Sequence, residues 1–376
     1  MIPGRPEVDV AVIGAGIVGL ATAAAFARKR RSVLVVERHD AIARETTSRS
    51  SEVLHAGLYY PPGSSKARFC VAGRERIEER CARLGIPARR TGKLVVATDP
   101  AEVEVLERLR RIGTENGASG LEIIGAEAVA SLEPSVRAVA ALFSPATGIV
   151  DAHALSLSFL AEAEGAGALL ALRSEVRGIE KIAGGYRLRV RDADGTVSSV
   201  VCAAVVNAAG LGSDRIAALA GLDVDACGYR LHPCKGDYFA LAPGAPVRIS
   251  RLVYPVPAEA GLGIHATLDL GGRIRFGPDA RYVETASYEV DATRREAFAA
   301  AIRRYLPDLR DDWLSPDYAG IRPKLAGPGE GFRDFVVAEE SARGLAGFVN
   351  LVGIESPGLT ASAAIAEHVA SLVASV

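Results

Sequence analysis

Five cysteines, an odd number without Cys-x-x-Cys spacing, rule out complete internal pairing and a zinc site built from two cysteine pairs. A reducing compartment is the simpler expectation. Charge of one sign is missing too: 44 Lys and Arg against 45 Asp and Glu leave a formal charge of -1. That balance gives no support to nucleic-acid binding. No internal repeat or low-complexity tract is present. Only one long apolar run exists, Val10 to Ala27, and Gly14, Gly16 and Gly19 punctuate it. No strongly basic segment precedes it, so it reads neither as a membrane span nor as a signal peptide. A cytoplasmic chain without a transmembrane helix is expected. Peripheral contact with the inner face of a membrane, through Arg303, Arg304, Leu306, Trp313 and Leu314, is the weaker alternative to an ordinary surface. His232 and Cys234 lie near Cys227 without the spacing of a closed metal site, so no metal is expected.

The apolar pattern alternates between strand and helix. Val8 to Ile13 is an apolar strand, Ile17 to Arg28 an Ala-rich helix and Ser32 to Glu37 a second strand. That order implies parallel pairing through a right-handed crossover. A polar loop, Ala43 to Glu52, follows. Helical spacing predicts helices over Ser65 to Leu84, where Cys70 and Cys81 fill core volume, and around Val105, Leu106, Leu109 and Ile112. Thr91 to Thr98, Leu169 to Ile179, Tyr186 to Arg191 and Val200 to Asn207 read as strands, with a hairpin at Asp194-Gly195. Leu155 to Glu164 and Arg295 to Tyr305 read as helices, and Gly228 to Phe276 as hairpins of an antiparallel layer. The end returns to strand (Phe348 to Val352), turn (Gly353 to Gly358) and helix (Thr360 to Val373).

The expected class is α/β. A discontinuous Rossmann-like nucleotide domain would comprise 1–88, 148–226 and 334–376. An α+β substrate domain on a mostly antiparallel sheet would take 89–147 and 227–333.

Gly14-Ala15-Gly16-Ile17-Val18-Gly19 matches G-x-G-x-x-G at a strand-to-helix junction. Gly14 permits the tight turn, Gly16 lets the backbone approach a pyrophosphate, and Gly19 lets helix and strand pack closely. Glu37 ends the next strand, where its carboxylate accepts from ribose hydroxyls and repels the phosphate of NADP. The choice between NAD and FAD rests on the remaining constellation. Thr46-Thr47-Ser48-Arg49-Ser50-Ser51 offers hydroxyls and a guanidinium to a long cofactor. Asn207-Ala208-Ala209-Gly210 follows a strand, and Gly353 and Gly358 precede the last helix, which Thr360 is expected to cap. Together these favour FAD. The expected cofactor contacts are Gly14, Gly16, Ile17, Val18, Gly19, Glu37, Arg38, Thr47, Ser48, Arg49, Ser51, Val176, Ala209, Gly210, Gly358, Leu359 and Thr360.

Longer segments carry a resemblance. They are Val53-Leu54-His55-Ala56-Gly57-Leu58-Tyr59-Tyr60-Pro61-Pro62-Gly63-Ser64, Lys66-Ala67-Arg68, Thr91-Gly92-Lys93-Leu94, Lys235-Gly236-Asp237-Tyr238-Phe239, Leu252-Val253-Tyr254-Pro255-Val256-Pro257 and Leu262-Gly263-Ile264-His265. The chain resembles the FAD-dependent D-amino-acid oxidase superfamily, and within it the L-2-hydroxyglutarate dehydrogenase/oxidase-like group. The resemblance implies non-covalent FAD between the two domains. It also implies oxidation of a small 2-hydroxy acid to a 2-oxo acid, L-2-hydroxyglutarate to 2-oxoglutarate, with electrons passing to a quinone or to oxygen. Two stretches depart from the group: Arg49-Ser50-Ser51-Glu52 stands where a His-Asn-Ser-Gly-like stretch is favoured, and Gly320-Ile321-Arg322-Pro323-Lys324 where Gly-Val-Arg-Ala-Gln-like is.

Such a reaction needs a base for the hydroxyl proton and cations for carboxylates. His265 and His55 are the base candidates, with His265 preferred on its place after an apolar strand; spacing does not decide between them. Arg322 is the carboxylate binder by its rigid fork. Lys324, Lys235, Tyr60, Tyr238 and Tyr254 complete the expected substrate set. Two competing functions remain at this level: a flavin-dependent amino-acid or amine oxidase or dehydrogenase, and a non-enzymatic FAD-binding protein.

Overall fold

The computed structural model describes residues 6–257 and 263–373, so Leu262 of the last motif lies outside the described residues. Five parallel strands form the heart of the first sheet, in the order Leu345–Val352, Val197–Asn207, Val8–Ile13, Val33–Val36 and Leu169–Ala171. Antiparallel strands extend it: Glu175–Ile182 and Gly185–Arg191 beside the first half of Val197–Asn207, and Val336–Glu340 beside Leu345–Val352. The apolar run 10–27 divides into strand, glycine turn and helix. Its alanines let the helix Ile17–Arg28 pack closely with the helices Ala152–Gly165 and Gly358–Leu372 over one face of the sheet.

Two glycines show why the corner is sequence-specific. Gly14 has φ 105°, and a Cβ there would stand 2.5 Å from the Ala208 carbonyl oxygen. At Gly19 a Cβ would stand 2.0 Å from the Gly14 carbonyl oxygen, so only glycine lets helix and turn approach this closely.

The second sheet runs Arg281–Tyr282, His232–Leu241, Ile274–Phe276, Ala266–Leu268, Leu252–Pro255, Lys93–Ala97, Ala140–Ser144 and Glu122–Gly125, with Leu314–Lys324 also pairing His232–Leu241. Every pairing is antiparallel except Leu252–Pro255 with Lys93–Ala97. The fold is thus α/β, a Rossmann-like region joined to a mixed, mostly antiparallel second sheet.

Two expectations change. The run Leu169 to Ile179 is two strands rather than one. Leu169–Ala171 pairs parallel with Val33–Val36, the chain turns at Arg173 (φ 52°), and Glu175–Ile182 pairs antiparallel elsewhere. The turn is fixed because the Arg173 and Ser174 amides donate to the His39 and Glu37 carbonyls, both at 2.8 Å. The last helix begins at Gly358, so Thr360 is no cap. Its hydroxyl instead donates to the Val53 carbonyl and accepts from the His55 amide, each at 3.1 Å. The residues named for a peripheral membrane contact have other partners. Leu306 and Leu314 are buried, while Arg303 pairs with Asp311 and Arg304 with Glu102. Among the described residues no helix is long and apolar enough to cross a membrane.

Gly19→Ala forces the corner apart, since the clash is with backbone. We expect a loss of about 1–3 kcal/mol in urea unfolding, the usual cost of overpacking. An unchanged unfolding midpoint would contradict the close-packed corner.

Candidate active site

A single cavity of about 690 Å³ extends from the glycine turn to the second sheet. At one end it meets Gly14, Gly16 and Glu37; at the other it meets His55, Tyr254, His265 and Arg322. The first end suits a dinucleotide. The helix Ile17–Arg28 starts without an acidic residue in its first turn, so nothing local opposes a pyrophosphate. Thr47 Oγ1 accepts from the Ile17 amide at 3.1 Å, bringing the polar loop onto the helix start. Glu37 Oε2 accepts from the Ala15 amide at 2.7 Å and Oε1 from the His39 amide at 2.9 Å. Lone pairs remain on that carboxylate for ribose hydroxyls. Ile17, Val18, Arg38, Arg49, Ser51, Val176, Ala209, Gly210, Gly358, Leu359 and Thr360 also line the cavity.

Three expected contacts lie off it. Gly19 serves packing, and Ser48 Oγ donates to the Glu45 carbonyl at 3.3 Å. Lys235 is buried against Asp237 at 3.4 Å and donates to the Glu289 carbonyl, so its ammonium is already committed. Arg38 and Arg49 line the cavity but are engaged: Arg38 pairs with Glu45, and Arg49 donates to the Ala319 carbonyl at 3.3 Å and lies 4.0 Å from the Tyr288 ring centroid.

His55 follows the short strand Val53–Leu54, and its position is fixed by the Thr360 hydroxyl. Nε2 is 3.3 Å from Ser356 Oγ, and Nδ1 is buried without a partner. Loss of solvent, helped by the charge of Lys93, lowers its pKa to about 3, so the ring is neutral. His265 stacks on Tyr254, with centroids 3.5 Å apart and planes at 7°. Tyr238 shares a 2.6 Å hydrogen bond with Ser51 and stacks on Tyr318 at 4.3 Å. Burial holds the Tyr60 and Tyr254 hydroxyls well above the usual phenol range, so both are protonated. Arg322 donates through Nη2 to the Asp279 carbonyl at 2.9 Å and approaches Cys234 Sγ at 3.7 Å. The rest of its guanidinium fork is left for an anion.

The sequence reading missed four side chains here. Ser356 and Glu355 sit in the turn before the last helix, Lys66 opens the helix Ser65–Leu84, and Tyr59 neighbours an expected residue; all four line the cavity. Lys66, Tyr59 and Lys93 belong to the quoted motifs, but spacing alone says nothing of their partners. Lys93 is fully buried, with Nζ 4.5 Å from the Tyr59 centroid and 4.9 Å from that of Tyr254, and without a hydrogen-bond acceptor.

This corner, cavity and histidine-bearing wall place the chain in a known class. The family model "FAD dependent oxidoreductase" matches residues 9–372, and the chain belongs to that family. It is an FAD-dependent oxidoreductase, with FAD as its cofactor. Among relatives, L-2-hydroxyglutarate dehydrogenase, mitochondrial, of Arabidopsis thaliana is 40% identical over 98% of this chain and 83% of that protein. The L-alpha-glycerophosphate oxidase of Mycoplasma pneumoniae, solved with FAD bound, superimposes with TM-score 0.86 at 25% identity, covering 98% of this chain and 94% of that one. Glycine oxidase from Geobacillus kaustophilus has TM-score 0.80 at 22% identity over 98% and 95%, a likeness of fold alone. The reaction class is therefore FAD-dependent oxidation of a small organic acid or amino acid.

Removing solvent from Lys93 lowers its pKa from 10.5 to about 7. Between those values the unfolded chain holds a proton that the folded chain lacks, so stability rises with pH across that window. Lys93→Met removes this dependence. The difference in unfolding free energy between wild type and variant is expected to change by about 1.4 kcal/mol per pH unit from pH ~7.5 to ~9.5. A difference independent of pH would contradict the buried, deprotonating amine.

Proposed function

We propose that the protein oxidises a 2-hydroxy acid to the 2-oxo acid, with L-2-hydroxyglutarate as substrate and 2-oxoglutarate as product. The observation that carries this reading is the pairing, in one cavity, of a neutral, half-buried imidazole, His55, with an arginine, Arg322, whose fork is only partly used. The identity of the Arabidopsis relative, over nearly the whole chain, supports the particular substrate.

Oxidation of an alcohol removes two electrons and two protons. When bound, FAD would accept the two electrons together with the hydrogen of the carbinol carbon, as a hydride, so that one proton, that of the hydroxyl, is left for the chain to take. The chain's own part is to bind the carboxylate, orient the carbinol carbon and accept the hydroxyl proton. Arg322 grips the carboxylate next to the reacting carbon, and Pro323 beside it restrains the backbone. His55 accepts the proton. The imidazole starts neutral, as a base must, and the negative substrate carboxylate raises its proton affinity on binding. Ser356 and the Thr360 hydroxyl hold the ring and its backbone in place. His265, preferred on sequence grounds, has one face covered by Tyr254 and serves in this reading as part of the wall. Tyr60 and Tyr254, both protonated, donate to the substrate side and exclude water. The electrons leave afterwards to a quinone or oxygen.

The test is an anaerobic absorbance scan of the FAD-loaded protein with L- and D-2-hydroxyglutarate, glycerol 3-phosphate and amino acids. Selective bleaching by L-2-hydroxyglutarate is expected; bleaching by an amino acid alone would overturn the reading. His55→Ala should slow reduction by ~10²-fold or more while retaining FAD, and His265→Ala by much less. Equal, small effects in both would remove His55 from the proton transfer. Air or a quinone analogue, offered in turn to the reduced protein, identifies the acceptor.

A further inference from the structure

Beyond Arg322 the cavity carries more positive charge than one carboxylate requires. Lys66, Lys324 and Glu355 all line it. Lys66 Nζ binds Glu355 Oε1 at 2.9 Å, with both side chains nearly buried at 7% and 11% exposure, and it lies 5.3 Å from the ring centroids of Phe332 and Phe335. Lys324 Nζ reaches the other oxygen of Glu355 at 3.7 Å, too long for a hydrogen bond, and its side chain is 27% exposed. Two ammonium groups thus share one carboxylate, and the cluster has a net positive charge.

Geometry relates this cluster to the carboxylate binder. Arg322 and Lys324 are two residues apart on the strand Leu314–Lys324 and so project from the same face. Their Cα atoms are separated by about 6.7 Å along the strand, near enough for two flexible cationic side chains to meet the two ends of one short diacid. Pro323, between them, stiffens that spacing. The register against the neighbouring strand, Arg322 with Cys234 and Lys324 with His232, holds both residues on a paired frame. Lys66 is held from the other side, because the Asp334 carboxylate accepts from the Ser65 and Lys66 amides at 2.6 and 2.9 Å.

We propose that Lys324, backed by Lys66, is the subsite for the distal carboxylate of a dicarboxylate, and that Glu355 is its resident counter-ion, given up by Lys324 when the ligand arrives. The idea rests on the 2-hydroxy-acid reading of the same cavity and supplies its selectivity. A buried ammonium without a partner is costly, so Glu355 keeps the empty subsite stable. Its contact with Lys66 is a close ion pair and persists. Its contact with Lys324 is long, so exchanging it for a ligand carboxylate loses little and gains a charge-assisted hydrogen bond. A monocarboxylate offers Lys324 nothing, and Lys324 stays with Glu355. Dicarboxylates are thereby favoured over monocarboxylates of similar length.

The test is calorimetry on the FAD-loaded protein with two unreactive acids, glutarate and butyrate, in wild type, Lys324→Met, Lys324→Arg and Glu355→Gln. Wild type should bind glutarate at least ~10-fold more tightly than butyrate, which is about 1.4 kcal/mol. Lys324→Met should erase that preference, Lys324→Arg should keep most of it, and Glu355→Gln should tighten glutarate. Equal binding of the two acids by wild type, or a preference that survives in Lys324→Met, overturns the subsite; glutarate binding unchanged or weakened in Glu355→Gln overturns the counter-ion. If glutarate binds in the Lys324-dependent way but L-2-hydroxyglutarate leaves the flavin oxidised, the subsite stands and the hydroxy-acid reading fails.

Discussion

Glu37 ties together the three strand ends on which the cavity is built. Its side chain accepts from the Ala15 amide in the glycine turn and from the His39 amide just beyond its own strand. Its backbone amide donates to Ala171 and its carbonyl accepts from Ser174, at the turn that ends the third strand. The residue is 8% exposed, so these bonds are made where an unpaired charge would be expensive. The acid at the end of the second strand is therefore a structural clasp. The floor of the cofactor end is rigid because the backbone supplies a donor to each oxygen of that one side chain.

The second joint is Thr360. Helices usually spend such a hydroxyl on their own first turn, but this one reaches across to Val53 and His55 and fixes the last helix to the strand that carries the histidine. Cofactor end and reaction end are thus coupled through side chain to backbone bonds rather than through loops. Electrostatics then separates roles within the wall. Loss of solvent keeps His55 neutral, while Arg322, Lys324 and Lys66 supply positive charge at the same cavity. A neutral imidazole beside cationic side chains suits the binding of a small organic acid. A negatively charged floor would instead repel an organic acid.

Much of this is legible in the chain. Alternating apolar runs and glycines locate the parallel sheet, the corner and Glu37 because those features are local: 3.6-residue and two-residue periods and a turn that no other residue can make. The helix Ser65–Leu84 is readable to the residue, since Ser64 accepts from the Ala67 amide at its start and Gly85 takes the left-handed cap at its end. What escapes depends on contacts distant in sequence. Leu169 to Ile179 reads as continuous, but its break is set by amides docking on His39 and Glu37. Thr360 reads as a cap, yet its partners lie about three hundred residues earlier. Lys235 reads as a substrate ligand and is consumed by Asp237 and Glu289. Lys66 lies in a quoted motif, but its pairing with Glu355 is not legible, because an ion pair across 289 residues leaves no period in the sequence.

The most direct test of the central claim, that His55 and Arg322 face one substrate over the cofactor, is a crystal structure of the FAD-loaded protein with 2-oxoglutarate. The account predicts the C2 oxygen within about 2.6–3.2 Å of His55, directly or through one water, and a carboxylate held in the fork of Arg322. A product bound with its C2 oxygen turned away from His55, or with Arg322 still engaged only with Asp279 and Cys234, would contradict it.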